Sequence, residues 1–66
     1  MYTLRKLYAE NSVLLDLAIA REHERSRVRH LARQERIQKL ADLKGWEYAP
    51  NLEERVKIYA YVHVKE

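Results

Sequence analysis

The chain has 66 residues with one Gly, one Pro, no Cys and no Phe; 35% of its residues are charged and its formal charge is +3. That length supports one small domain, which buries only about 60% of the surface its unfolded chain exposes. With no cysteine, disulfide staples and thiolate-ligated metal sites are excluded, as is a glycine-rich phosphate loop with one glycine. No stretch approaches the roughly 18–20 consecutive apolar residues of a membrane span. Arg5 and Lys6 are not followed by the apolar core of a secretion signal. These features point to a soluble, cytoplasmic protein with no cofactor, no metal and no membrane partner.

Residues 1–10 read as an N-terminal strand or turn. In an extended chain Tyr2, Leu4, Lys6 and Tyr8 share one face, while Leu4, Leu7 and Tyr8 also suit a helical turn.

Residues 12–44 are rich in Leu, Ala, Arg, Glu, Gln and Lys and contain neither Gly nor Pro, which predicts helix. Ser12 or Asn11 is placed to cap the start, and Gly45 to end it. Val13, Leu14, Leu17 and Ala18 form one apolar stripe. Arg21-Glu22-His23-Glu24-Arg25-Ser26-Arg27 then carries no apolar side chain, and Val28, Leu31 and Ala32 resume near the same angle. Ile37, Leu40 and Leu43 follow about 100° further round. A straight helix on one small core has no reason to drift this way. Unbroken, it spans about 50 Å at 1.5 Å per residue, too long for one small globule to cover. The expectation is a long central helix that either breaks near Arg21–Arg27 or changes partner along its length.

Gly45-Trp46-Glu47-Tyr48-Ala49-Pro50-Asn51 is a turn holding the chain's one Gly and one Pro. Trp46 either closes the core here or stands out, with Tyr48, as an aromatic anchor for a partner.

Residues 52–65 read as a C-terminal strand. Val56, Ile58, Ala60, Val62 and Val64 alternate with Lys57, Tyr59, Tyr61, His63 and Lys65, a period of two with β-branched and aromatic enrichment. A competing helical signal comes from Asn51-Leu52-Glu53-Glu54, a capping box, with a stripe of Leu52, Val56, Tyr59 or Ala60, and His63. The fold class expected is therefore α+β, with a long helix, a C-terminal strand and a short N-terminal strand beside it. Where the N-terminus does not pair, the strand pairs with its copy in another chain.

Three constellations bear on function. Arg21, Arg25, Arg29 and Arg33 repeat every four residues, with Arg36 in the same arc. Like charges at that spacing cost about 0.2–0.5 kcal/mol per pair, so the row calls for negative charge: nucleic-acid phosphate, an acidic partner, or Glu22, Glu24 and Glu35 nearby. On the expected strand, Lys57, Tyr59, Tyr61, His63 and Lys65 project to one side, where aromatics stack bases and lysines meet phosphate, or where tyrosines form cross-strand pairs. Val56, Ile58, Val62 and Val64 on the other side, with Trp46 and Tyr48, are the candidate partner-binding set. His23 and His30 lie seven residues apart; placed at an interface, they make assembly sensitive to pH. No catalytic motif stands out, and no enzyme is expected.

The function expected is that of a small non-enzymatic binding or regulatory protein. It acts as a homo-oligomer and contacts DNA or RNA phosphates through the arginine-rich helix face. The alternatives are a protein–protein module (inhibitor, adaptor or assembly subunit) and an engineered scaffold with no nucleic-acid role.

Overall fold

The computed structural model describes residues 2–63. Those residues form three helices: α1, Leu4–Ala20; α2, Glu24–Lys44; and α3, Leu52–Val62. There is no strand among the described residues, so the α+β expectation is corrected to an all-helical fold.

α1 begins eight residues earlier than the composition of residues 12–44 indicates, and it absorbs the expected N-terminal strand. Thr3 is its cap, and the Thr3 hydroxyl accepts from Lys6 N at 3.2 Å. Asn11 and Ser12, read as caps, sit inside the helix. Two further N–H groups of the first turn are satisfied by the α2–α3 loop: Leu4 N donates to Tyr48 O at 3.1 Å, and Arg5 N to Trp46 O at 3.0 Å. A helix start without such acceptors leaves orphan donors, so the loop is what allows α1 to reach back to Leu4.

The long helical region breaks at Arg21–His23, inside the segment that carries no apolar side chain. Glu22 takes φ +57, and His23 N returns to Ala18 O at 2.9 Å. The break lets α1 and α2 fold back as a hairpin. α2 ends at Gly45, whose φ of +94 strains any residue with a side chain.

The segment expected as a strand is α3. Asn51 Oδ1 accepts from Glu54 N at 2.8 Å, and Glu53 and Glu54 occupy the first turn, where the helix dipole favours negative charge. The alternation that suggested a strand contains its own helical pairs, because every second even-spaced residue is also an i, i+4 pair. Ile58 and Val62 are such a pair, and both are buried. A lone strand leaves its backbone groups unpaired, whereas a helix satisfies them internally. The proposed helical stripe was also misplaced: Leu52, Val56 and Tyr59 are exposed. Val64, expected on the strand's apolar face, lies outside the described residues.

The core is Leu4, Ile37, Ala41, Ile58 and Val62, with Leu7, Tyr8, Leu40, Trp46 and Tyr48 packed on it. All of it lies at one end of the hairpin, where α3 and the loop close over α1 and α2. The molecule measures 35 × 21 × 19 Å, with a radius of gyration of 12.0 Å against roughly 10.8 Å for a compact chain of this length. Its surface of 4996 Å² exceeds the roughly 4,450 Å² expected at its mass.

Candidate functional site

The end of the hairpin away from α3 is the candidate site. Residues 13–20 of α1, Val-Leu-Leu-Asp-Leu-Ala-Ile-Ala, carry one charged side chain, Asp16. A helix apolar on all sides is normally buried. Here only Ala18 is buried, while Val13 (59% exposed), Ile19 (53%), Leu14 (48%) and Leu17 (45%) stand open to solvent. Val28 (53%) and Leu31 (44%) continue the patch onto α2. Val13 and Leu17 share one flank of α1, and Ile19 lies about 200° round the helix from Leu17; exposed apolar side chains grouped in this way mark candidate interaction surfaces.

A polar latch divides this open end from the closed one. Asn11 is buried, and its Nδ2 donates to His30 O at 2.8 Å and to Gln34 Oε1 at 2.6 Å. Gln34 Nε2 donates in turn to Ser12 Oγ at 2.6 Å. These bonds tie mid-α1 to mid-α2 and hold the register of the hairpin, since a slip leaves buried amide groups without partners. In the sequence this role is hidden, because Asn11 and Ser12 stand where cap residues are expected. Val13, Leu14, Leu17 and Ala18 read as one apolar stripe; Ile19 stands outside that stripe, and the apolar character of residues 13–20 beyond it is the signal that they exceed what one partner helix covers.

The arginine row is divided among different tasks. Arg21 lies in the turn, and Arg25 and Arg29 are exposed on α2. Arg33 is partly buried beside a groove. Arg36 Nη1 donates to Val62 O at 3.2 Å and closes the C-terminal end of α3. Arg27 pairs with Glu24, and that hydrogen bond, then the charge itself, holds the Glu24 carboxyl below its usual range. Residues 16–29 together carry Asp16, Glu22 and Glu24 against Arg21, Arg25, Arg27 and Arg29, so the open end is nearly charge-balanced.

The residues expected to share a strand face are dispersed by the helix. Lys57 lies 3.9 Å from Glu54, Tyr59 stacks on His63 with centroids 4.1 Å apart, and Tyr61 is exposed elsewhere on α3. Lys65 lies outside the described residues. Of the partner-binding set, Ile58 and Val62 belong to the core and Val56 is exposed. Trp46 and Tyr48 are half-buried against the core. Trp46 meets the Tyr8 ring edge-on at 5.0 Å, with the Arg5 guanidinium 5.8 Å from the Trp46 ring centre and Arg5 also paired to Glu47.

A groove of about 250 Å³ opens among the three helices. It is lined by Tyr2, Leu7, Glu10, Asn11, Leu14, Arg33, Ile37, Tyr59, Val62 and His63. Arg33 Nε is buried with no hydrogen-bond partner. Tyr2 stands at its edge with the Arg55 guanidinium 4.5 Å from its ring centre. Burial, then the Glu10 charge, pushes the Tyr2 hydroxyl up, against a smaller lowering by Arg55.

His23 is the N-terminal cap residue of α2. His30 Nδ1–H donates to Ser26 O at 2.6 Å, and His63 Nδ1–H to Tyr59 O at 3.2 Å. Among the described residues no group of three His, Cys, Asp or Glu is arranged to hold a metal, and no helix is long and apolar enough to cross a membrane.

No protein-family model, curated protein or solved structure matches the chain.

Proposed function

We propose that this chain is a non-enzymatic association module that joins a second copy of itself through the open end of the α1–α2 hairpin. The observation that carries this reading is the exposure of Val13, Leu14, Leu17, Ile19, Val28 and Leu31 on two adjacent helices. Two such hairpins packed together bury those of these side chains that share a face, as a four-helix bundle does, and a two-fold axis presents the same face to itself. The charge pattern supports a second copy over a phosphate backbone. Besides the Arg27–Glu24 pair, Asp16 and Glu22 stand in the same region as Arg21 and Arg25, so each copy carries both signs needed to match the other. A nucleic-acid surface needs one sign along its length, and here Arg27 and Arg36 already have protein partners. The cytoplasmic setting expected from the sequence belongs to this proposal.

Sedimentation equilibrium of the native chain tests it, together with Leu17→Glu and Leu31→Glu. The native chain is expected to associate and to melt at a temperature that rises with concentration. Each variant is expected to remain helical and sediment as a monomer. A native chain that stays monomeric at millimolar concentration rejects the reading. Tight, salt-dependent binding of mixed-sequence DNA or RNA by that monomer replaces it with the phosphate-binding alternative.

A further inference from the structure

We propose that α1 is exchanged between two copies of this chain. The Arg21–His23 turn opens as a hinge, and the α1 of each copy packs on the α2, loop and α3 of the other. This rests on the self-association reading for its partner, a second copy, and adds how that copy is held. Three observations carry it.

The first is the turn. Arg21, Glu22 and His23 join the two helices and are exposed, so opening the turn uncovers no core. Glu22 takes φ +57, a left-handed conformation that is costly for a residue with a side chain and free for glycine. The hairpin thus holds strain in its shortest connection, and a short strained hinge favours exchange. Opening gives up two bonds of the turn, Glu22 N to Ile19 O at 3.1 Å and His23 N to Ala18 O at 2.9 Å. Both donor residues are exposed, so water takes up those N–H groups. The Arg27–Glu24 pair lies within α2 and is kept.

The second is where α1 is held. Its anchors lie beyond the hinge in the chain: Asn11 on His30 and Gln34, Ser12 on Gln34, Leu4 N on Tyr48 O, Arg5 N on Trp46 O, and the Tyr8 ring on Trp46. Each is restored unchanged when the α1 of another copy takes the same place. A released α1 exposes Leu4, which is fully buried in the closed hairpin, and strips Gln34 of Asn11. It therefore returns to its own α2 or goes to that of a second copy. Return dominates in dilute solution, because association costs translational and rotational freedom. Exchange gains as concentration rises.

The third is the exposed apolar end. Ala20 and Glu24 are four Cα steps apart, at most about 15 Å. An opened hinge of that span holds the two halves of the exchanged dimer with their open ends adjoining. Leu17, Ile19 and Val28 are exposed and lie within six residues of Glu22 in the chain. In the exchanged dimer they come from both copies to the region of the two-fold axis. The dimer thus keeps the core and the latch of each hairpin and adds apolar contact beside the hinge, which a closed monomer leaves in water.

The test mixes equal amounts of unlabelled and isotopically labelled full chain in urea, refolds them together at millimolar concentration and separates the products by size. Isotope-filtered NOEs then report contacts between chains. The expected product is a dimer with NOEs from the Tyr8 ring of one chain to the Trp46 ring of the other, rings whose centres lie 5.0 Å apart in the hairpin, and from Asn11 to Gln34. A dimer with those NOEs only within one chain overturns the exchange and leaves self-association standing. A chain that refolds only as a monomer also overturns it, while sedimentation of the chain never unfolded decides self-association separately. Glu22→Gly is the second measurement, and its hairpin folds because glycine accepts the turn. Easing the turn favours the closed form about fivefold per chain, so the dissociation constant of the exchanged dimer should rise about 25-fold. An unchanged constant overturns the proposal.

Discussion

The two ends of the α1–α2 hairpin are built from similar residues and have opposite fates. At the closed end, Leu4, Ile37 and Ala41 are covered by Ile58 and Val62 from α3 and by Trp46 and Tyr48 from the loop. At the open end, Val13, Leu17, Ile19, Val28 and Leu31 are no less apolar, but they stand exposed outside the core that α3 and the loop close. The difference lies in what stands above the helices. A third helix of 11 residues is about 16 Å long, and α2 alone, with 21 residues, is about 31 Å. One short helix covers one end. The apolar surface left over is what the proposed association covers.

The largest expected effect breaks the closed end. Ile37→Ala should cost about 3 kcal/mol in urea unfolding, a large part of the total stability of so small a domain. Leu43→Ala, at an 84% exposed position on the same helix, should stay within about 0.5 kcal/mol. Equal losses at the two positions contradict the placement of the core.

The boundary comes next. Asn11→Ala removes the Nδ2 group that donates to His30 O and Gln34 Oε1 and leaves Gln34 Oε1 without its partner. A loss of about 2 kcal/mol is expected, measured by thermal unfolding at one fixed concentration. A change under about 0.5 kcal/mol would show that the latch does not hold the hairpin.

The open end gives a smaller effect of opposite sign. Glu22 sits in the turn at φ +57, where a side chain costs about 1 kcal/mol or more. Glu22→Gly relieves that strain and adds unfolded-state freedom, for a net gain of up to about 1 kcal/mol in thermal unfolding. Destabilisation would mean that the Glu22 side chain holds the turn through its contacts.

The smallest effect is a pH dependence at the closed end. Burial and the Glu10 charge raise the Tyr2 hydroxyl above its usual value near 10. The protonated phenol is thus favoured by folding, so its contribution is fully present below about pH 10 and is lost as pH rises through the raised value. A denaturation series from pH 8 to 11.5 should show stability falling at the alkaline end. Tyr2→Phe should flatten that fall, and an unchanged profile would place the responsible group elsewhere.

Part of this organisation was legible in the chain. The helix formers of residues 12–44, the stop at Gly45 and the break within Arg21–Arg27 follow from local chemistry. Glycine tolerates positive φ, and seven consecutive residues without an apolar side chain give a helix nothing to bury. The C-terminal segment was misread because Val56, Ile58, Ala60, Val62 and Val64 satisfy a period of two while Ile58 and Val62 also satisfy i, i+4. β-branched residues favour strands through their packing partners, and no partner strand stands beside them. The start of α1 was equally hidden, since its first N–H groups are satisfied by Trp46 and Tyr48 carbonyls more than 40 residues away.

The candidate site was half legible. The stripe of Val13, Leu14 and Leu17 was visible, and so was the arginine row, but their allocation was not. Helical spacing put Arg33 and Arg36 in one arc with Arg25 and Arg29. The fold then sends Arg36 to the end of α3 and Arg33 to the groove.

The sequence by itself determined that this chain is small, without covalent staples, rich in helix formers, and apolar over residues 13–20 beyond what its own length can cover. Those properties depend on composition and near-neighbour spacing, which act before any tertiary contact forms. Only the tertiary structure decided that the last segment is a helix, that Asn11 locks the hairpin, and that the core lies at one end. Each of these depends on which groups meet across tens of residues, and local preference carries no information about such meetings.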